Sequence, residues 1–193
     1  GFVPEAIKEF VISTGITKSE STLTWDDLIV HNKRVLDSKV NRYFFIDDPV
    51  KVKITGVPEM TAHLEKHPEF RERGTRELRI NEDLYLAKED YENLEDGLHR
   101  LMDTLNFRKE GEKLEFDSTD HMVFKEKGKR ILHFLPADDL IDVEVLMPDH
   151  TVRKGYGEKT IEELQEGDII QFERFGFCRL DTKGDVYRFW FTH

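Results

Sequence analysis

Gln171, Glu173 and Arg174 are the residues whose type and spacing point most directly to chemistry, in the run Glu166 to Asp181 (Glu-Gly-Asp-Ile-Ile-Gln-Phe-Glu-Arg-Phe-Gly-Phe-Cys-Arg-Leu-Asp). Glutamine and arginine are planar, multi-donor groups that fit the edges of nucleobases and the oxygens of phosphates. An ordinary solvated strand face with one internal ion pair would read the same way. Arg71, Arg73, Arg76 and Arg79 lie within nine positions and offer a second surface for phosphate or base. Glu69, Glu72 and Glu77 interleave with them, so a salt-bridge network is an equal reading. Lys33, Arg34, Lys39 and Arg42 form the dense basic group of the first quarter, and Lys125, Lys127, Lys129 and Arg130 a basic turn. Either group could touch phosphate or simply face water.

Metal and covalent chemistry are poorly represented. His63 and His67 are spaced i, i+4, but as His-x-Glu-x-His rather than His-Glu-x-x-His, with no cysteine or third histidine nearby. A catalytic zinc needs a third ligand, so surface loop histidines and no metal are expected. There is no phosphate-binding Gly-rich loop with Lys and no Gly-x-Ser-x-Gly. The adjacent acids Asp138-Asp139 and Glu162-Glu163 are expected on solvated turns. Autonomous catalysis is not expected.

The elements that must carry these groups follow from periodicity. Glu166-Gly167 opens an alternating strand in which Ile170 and Phe172 oppose Gln171 and Glu173, and Phe175 to Leu180 returns as the second arm of a hairpin. Pro4, with Val3, Ile7, Phe10 and Val11 at helical spacing, starts a helix that Gly15 stops; the polar stretch 17–22 is a loop. Thr24, three before Asp27, caps a second helix whose apolar face is Trp25, Leu28, Ile29, Asn32, Val35 and Leu36. From Tyr43 the period becomes strand-like, with Val50, Val52 and Ile54 on one face. Residues 57–74, with Pro58, Pro68 and many charges, read as one long loop. Short strands then recur at 84–87, 98–102, 105–108, 113–116, 131–135, 143–147, 151–154 and 186–191, with short helical pieces at 88–94 and 160–164. That spacing predicts barrels or sandwiches rather than alternating βα units.

Composition sets the outer bounds. The 193 residues (22.8 kDa) suffice for one large or two small domains, and 14 Phe and two Trp for closing β-barrels. Cys178 is the single cysteine, so no disulfide forms within the chain, and no apolar run approaches a membrane span; a soluble, cytoplasmic protein is expected. A first residue Gly1 rather than Met suggests an excised piece of a longer chain. The net charge of -11 argues against nucleic-acid binding by bulk attraction, so any RNA contact must rest on local basic clusters.

Gln-Phe-Glu-Arg-x-Gly-Phe-x-x-x-Asp resembles the distal barrel of the class I glutamyl- and glutaminyl-tRNA synthetases with an all-β anticodon-binding region. Asn41-Arg42-Tyr43-Phe44-Phe45-Ile46-Asp47-Asp48-Pro49-Val50-Lys51-Val52 resembles the first strand of their proximal barrel, and Gly74-Thr75-Arg76-Glu77-Leu78 their Gly-Ser/Thr-Arg element. The resemblance implies a mainly β chain: a helical connector (1–42), a proximal barrel (43–135 with a closing strand 183–193) and a distal barrel (136–182). It implies recognition of the tRNA(Glu) anticodon by the carboxy-terminal part of a glutamate-tRNA ligase. Arg76 would contact the third anticodon base and Gln171 and Arg174 the central one, with Lys33, Arg34, Lys39 and Arg42 near the inner corner of the tRNA. Asp103 falls where the glutaminyl branch tends to have Asn, a departure that removes donors.

The Asn-Arg-Tyr-Phe-Phe block is more similar to archaeal and eukaryotic glutamyl enzymes, and the short chain to archaeal ones, which implies tRNA(Gln) as a second partner. His-x-Gly-His and Lys-x-Ser-Lys, which hold ATP in such enzymes, are absent from the sequence. No cofactor is therefore expected here, ATP with Mg belonging to the parent's catalytic domain. Neither DNA nor membrane is an expected partner. A free-standing β-barrel RNA-binding module, the equivalent region of a glutaminyl-tRNA synthetase, and an acidic protein-interaction domain are the alternatives.

Overall fold

A computed structural model describes residues 1–15 and 22–193, so the loop expected at 17–22 lies, apart from Thr22, outside the described residues. Helices α1 (Pro4–Thr14) and α2 (Trp25–Asp37) precede strands β1 (Arg42–Tyr43), β2 (Phe45–Asp47), β3 (Pro49–Thr55), β4 (Met60–Glu65), β5 (Thr75–Ile80) and β6 (Asp83–Ala87). Helix α3 (Lys88–Glu92) leads to β7 (Gly97–Leu101), β8 (Asn106–Glu110) and β9 (Lys113–Ser118). Helix α4 (His121–Lys127) leads to β10 (Gly128–Leu132) and β11 (Leu135–Pro136). Strands β12 (Leu140–Leu146), β13 (Val152–Glu158), β14 (Ile169–Phe172), β15 (Gly176–Thr182) and β16 (Val186–Phe191) complete the chain.

The expected capping box forms: Asp27 Oδ2 accepts the Thr24 amide at 2.8 Å and Thr24 Oγ1 accepts the Asp27 amide at 3.4 Å. Thr24→Ala should lower stability by about 1 kcal/mol in thermal unfolding, and an unchanged melt would show that the cap carries nothing. The fully buried Asn32 ties the helices together, accepting the Val3 amide and donating to the Gly1 carbonyl, while its amide nitrogen also meets His193 Nε2 at 2.7 Å. Leu36 and Val40 then pack on Phe177, with Val3 and Ile169 beside them, seating the helices on the hairpin β14–β15.

Two seven-stranded sheets follow, of order β1-β14-β15-β16-β12-β13-β2 and β10-β7-β8-β9-β3-β6-β11. Their edges explain their shape. In the first sheet the two edge strands are successive stretches of one segment, separated by Phe44 alone. In the second they are β10 and β11, separated by His133 and Phe134. A sheet whose edges share one segment has curled round until they meet, which removes the exposed edges that would otherwise invite pairing with another chain. Each barrel therefore has a seam where one segment changes partner. The seams adjoin, with the Phe44 ring 5.8 Å from Phe134 and 6.0 Å from His133.

The continuous apolar run at 43–46 follows from that position. Tyr43 and Phe45 enter the core formed by Val143, Val145, Ile170, Phe172 and Phe189. Phe44 and Ile46 enter the other core, among Ile54, Leu84, Leu101, Phe107 and Phe134. A strand buried on both faces cannot alternate with polar residues. Strand β13 crosses it closely: a Cβ on Gly155 would lie 1.9 Å from the Ile46 carbonyl oxygen.

Four expectations are corrected. The strand 186–191, which the resemblance groups with 43–135, pairs with β12 and β15; residues 42–47 and 140–191 share one seven-stranded sheet, residues 49–55 and 83–136 supply the other, and β4 and β5 form a two-stranded sheet of their own. Residues 57–74 are not one long loop: β4 pairs with β5 from Met60–Ile80 to Glu65–Thr75, burying Ala62, Leu64, Leu78 and Ile80. His63 and His67 therefore share no helical turn, and His67 is no surface residue; it is 1% exposed, its Nε2 2.7 Å from the Asp37 carbonyl oxygen and its Nδ1 accepting the Glu69 amide. The basic turn is in part the end of α4, which Asp120 caps. The mainly β architecture with a small helical connector and two barrels is the one expected.

Candidate nucleic-acid interface

The hairpin β14–β15 brings Gln171 and Arg174 to the junction of the two barrels. Gln171 sits on β14, paired in parallel register with Arg42 of β1, so the two expected contact residues are cross-strand neighbours. Arg42 bridges outward in both directions: Nη2 to Asp37 at 3.0 Å and Nη1 to Glu173 at 3.5 Å. Its Nε and the Gln171 Oε1 are buried and have no hydrogen-bond partner among the described residues. An unsatisfied donor and an unsatisfied acceptor on adjacent strands are polar capacity that the protein does not itself use.

Arg174 occupies the turn at φ 63°, a left-handed conformation uncommon outside glycine, and needs anchoring there. Gly176 helps set the turn, since at φ 143° a Cβ would lie 2.6 Å from the Phe191 ring. The anchor is Asp90 of α3. Arg174 Nη2 donates to Asp90 Oδ1 at 2.9 Å, and Nη1 donates to Asp90 Oδ2 and meets His133 Nδ1 at 3.1 Å. Guanidinium only donates, so His133 Nδ1 is an acceptor and the ring proton sits on Nε2. Burial, and next the Arg174 charge, push the His133 pKa down to about 4, so the ring is neutral. Burial pushes the Asp90 carboxyl up, but the hydrogen bonds and charge of Arg174 outweigh it and hold the group below the usual carboxylate range. Asp90 and His133 are buried, while the Arg174 side chain is 42% exposed.

Glu173 stands between two concavities. One, of about 130 Å³, is lined by Phe45, Asp90, His133, Glu173, Arg174 and Phe175 among others. The other, of about 350 Å³, is formed with His63, Glu65, Arg71, Arg76 and Asp103, at the lower end of ligand-sized cavities. Asp103 reaches it from a turn at φ 54°. Arg71 contributes an exposed guanidinium paired with Glu65 at 3.0 Å.

Arg76, expected to contact the third anticodon base, lines that second concavity but is only 4% exposed, because β5 buries Arg76, Leu78 and Ile80 on one face. Its Nε lies 3.3 Å from Glu158 Oε1 and 3.1 Å from the Arg42 carbonyl oxygen, with the guanidinium 4.5 Å from the Phe44 ring centroid. Glu158, fully buried, also accepts the Phe44 amide at 2.8 Å and the Thr160 hydroxyl, so this pair closes the seam of the first barrel. Burial raises the Glu158 pKa, opposed by Arg76, Thr160 and the Phe44 amide.

Lys33, Arg34 and Lys39 lie exposed on the connector, Arg34 paired with Glu9 and Lys39 with Glu5. Such pairs hold the side chains only weakly. Arg73 anchors the connector to the β4–β5 ribbon, donating to the carbonyls of Val40 and Ser38. Asp90, His133 and Glu158 were not singled out by sequence reasoning. Among the described residues no group of three His, Cys, Asp or Glu is placed to hold a metal ion, and no helix is long and apolar enough to cross a membrane.

Residues 40–123 match the family model described as the anticodon-binding domain of class I (E and Q) tRNA synthetases, and residues 99–181 match a second model of the same description. The chain belongs to this family of synthetase anticodon-binding regions. Its relatives include the glutamate-tRNA ligase of Pyrococcus abyssi, 40% identical over 191 residues, which cover 94% of this chain and 33% of the relative. The glutamate-tRNA ligase of Methanothermobacter thermautotrophicus is 34% identical over 194 residues, covering 100% of this chain and 34% of the relative. The chain thus spans about a third of the length of the curated relatives it matches.

Proposed function

We propose that this chain recognises the anticodon arm of tRNA(Glu) as part of a cytoplasmic glutamate-tRNA ligase. The observation that carries the reading is Arg174, fixed by Asp90 and His133 of the other barrel with 42% of its side chain exposed, on a hairpin whose strand β14 also carries Gln171. Anticodon bases are unpaired, so they can be turned out of the loop and read along their edges, which planar donors do best. Gln171, on the strand that leads into the Arg174 turn, is the second proposed contact to the same base. The relatives' name supports glutamate and tRNA(Glu) as the ligase's substrates. ATP with Mg is assigned to the rest of that ligase. No step of amino-acid activation is assigned to this chain.

Arg174→Lys tests this directly. Lysine keeps a charge for Asp90 but cannot present a planar edge. Affinity for tRNA(Glu) should fall about tenfold relative to a tRNA(Glu) with a substituted central anticodon base, whose own binding should change little. Fluorescence titration at two salt concentrations reads both. If the unaltered chain binds native and substituted tRNA equally, and both are lost with salt, the anticodon reading fails and only phosphate attraction remains. tRNA(Gln) in the same titration shows whether the third base is read strictly.

A further inference from the structure

Arg174 has five N–H groups. Nη1 directs its two at Asp90 Oδ2 and His133 Nδ1, and Nη2 gives one to Asp90 Oδ1. The remaining two, on Nε and Nη2, lie side by side on one edge of the planar group and have no partner among the described residues. The end of the guanidinium facing Asp90 is buried against a carboxylate 6% exposed, while the side chain as a whole is 42% exposed. A guanidinium gripped at its end has lost rotation about its last bonds, so its open edge keeps one direction.

We infer that Asp90 is a positioning residue for base recognition: by holding the end of Arg174 it presents the Nε/Nη2 edge as a preformed two-donor reader for a planar group with two adjacent acceptors. This rests on the anticodon reading above. His133 completes the grip, because its Nδ1 takes the second Nη1 hydrogen that would otherwise let the plane tilt. Both groups belong to the second barrel and its helix α3, whereas Arg174 belongs to the first, so reading the base depends on how the barrels meet. Holding the reader rigid before binding removes the ordering cost from the recognition step.

The test uses the full chain with native tRNA(Glu) and the central-base variant. Asp90→Asn should reduce the preference for the native anticodon about tenfold, with binding of the substituted tRNA unchanged. In the double variant Asp90→Asn/Arg174→Lys, the preference should be no lower than in Arg174→Lys alone, since Asp90 acts only through Arg174. Equal weakening of both tRNAs by Asp90→Asn, or further loss in the double variant, would overturn the inference while leaving anticodon recognition standing. Absence of any preference in the unaltered chain would instead remove the reading beneath it. Should Asp90→Asn fail to fold, ¹⁵N relaxation of the Arg174 Nε in the unaltered, RNA-free chain decides. A rigid guanidinium upholds the inference, and one as mobile as exposed Arg71 refutes it.

Discussion

Glu158→Ala should destabilise the protein by about 3 to 5 kcal/mol, the cost of breaking a buried ion pair from one side. The replacement leaves the Arg76 guanidinium in the interior without its carboxylate, and removes the acceptor of the Phe44 amide where the first barrel changes strand partner. Arg76 would keep the Arg42 carbonyl and the faces of Phe44 and Tyr43, and none of these neutralises its charge. The double variant Arg76→Met/Glu158→Gln should lose far less. It takes both charges out together, and glutamine still offers an oxygen to the Phe44 amide. Urea unfolding of the three proteins measures this. A single variant within about 1 kcal/mol of the parent would mean that water reaches the seam and satisfies Arg76.

The second large effect is on the acid side. His133 has its pKa lowered from 6.5 to about 4, so between these values the unfolded chain binds a proton that the folded chain refuses. Stability therefore falls as pH drops from 6.5 towards 4, by up to about 3 kcal/mol from this group. Asp90, held below its usual range, contributes stability that is lost at still lower pH, as its folded-state carboxyl takes a proton. Burial also lowers His99 and His193, which act in the same direction as His133. His133→Gln isolates the one ring, because an amide can accept from Arg174 without titrating. Urea midpoints across this pH range should slope less steeply in the variant than in the parent; parallel slopes would exclude His133 as the source.

Individual strands were largely legible in the sequence, and their partners were not. Val50, Val52 and Ile54 alternate visibly, and Val186 to Phe191 is a strand as expected, yet its neighbours are β12 and β15. Pairing is decided by closure of the whole sheet, which no local window contains. The alternation in β4 was present in Met60, Ala62 and Leu64, but Pro58, Pro68 and the surrounding charges outweighed it in a reading by composition. Arg76 and Arg174 show the limit for the site. As residue types they are equivalent, but the phase of β5 turns one inward and a left-handed turn leaves the other half exposed. Asp90 and His133 carried no signal, since their partner lies 84 and 41 positions away and looks, in sequence, like any solvated charge.

The seam at Phe44 has a consequence for the order in which the molecule can assemble. Strand β1 must wait for Gln171 and Phe172, and β2 for Gly155 to Gly157, whereas every pairing of the second barrel is contained within residues 49–136. As the chain emerges from the ribosome, the second barrel holds a complete set of partners while the segment before it still has none. Pairings so distant in sequence are slow to form, because the intervening chain must be confined before any contact rewards it. The apolar segment 43–46 is therefore the last to gain its full cover, and the early barrel, which Phe44 and Ile46 can already enter, shields part of it meanwhile.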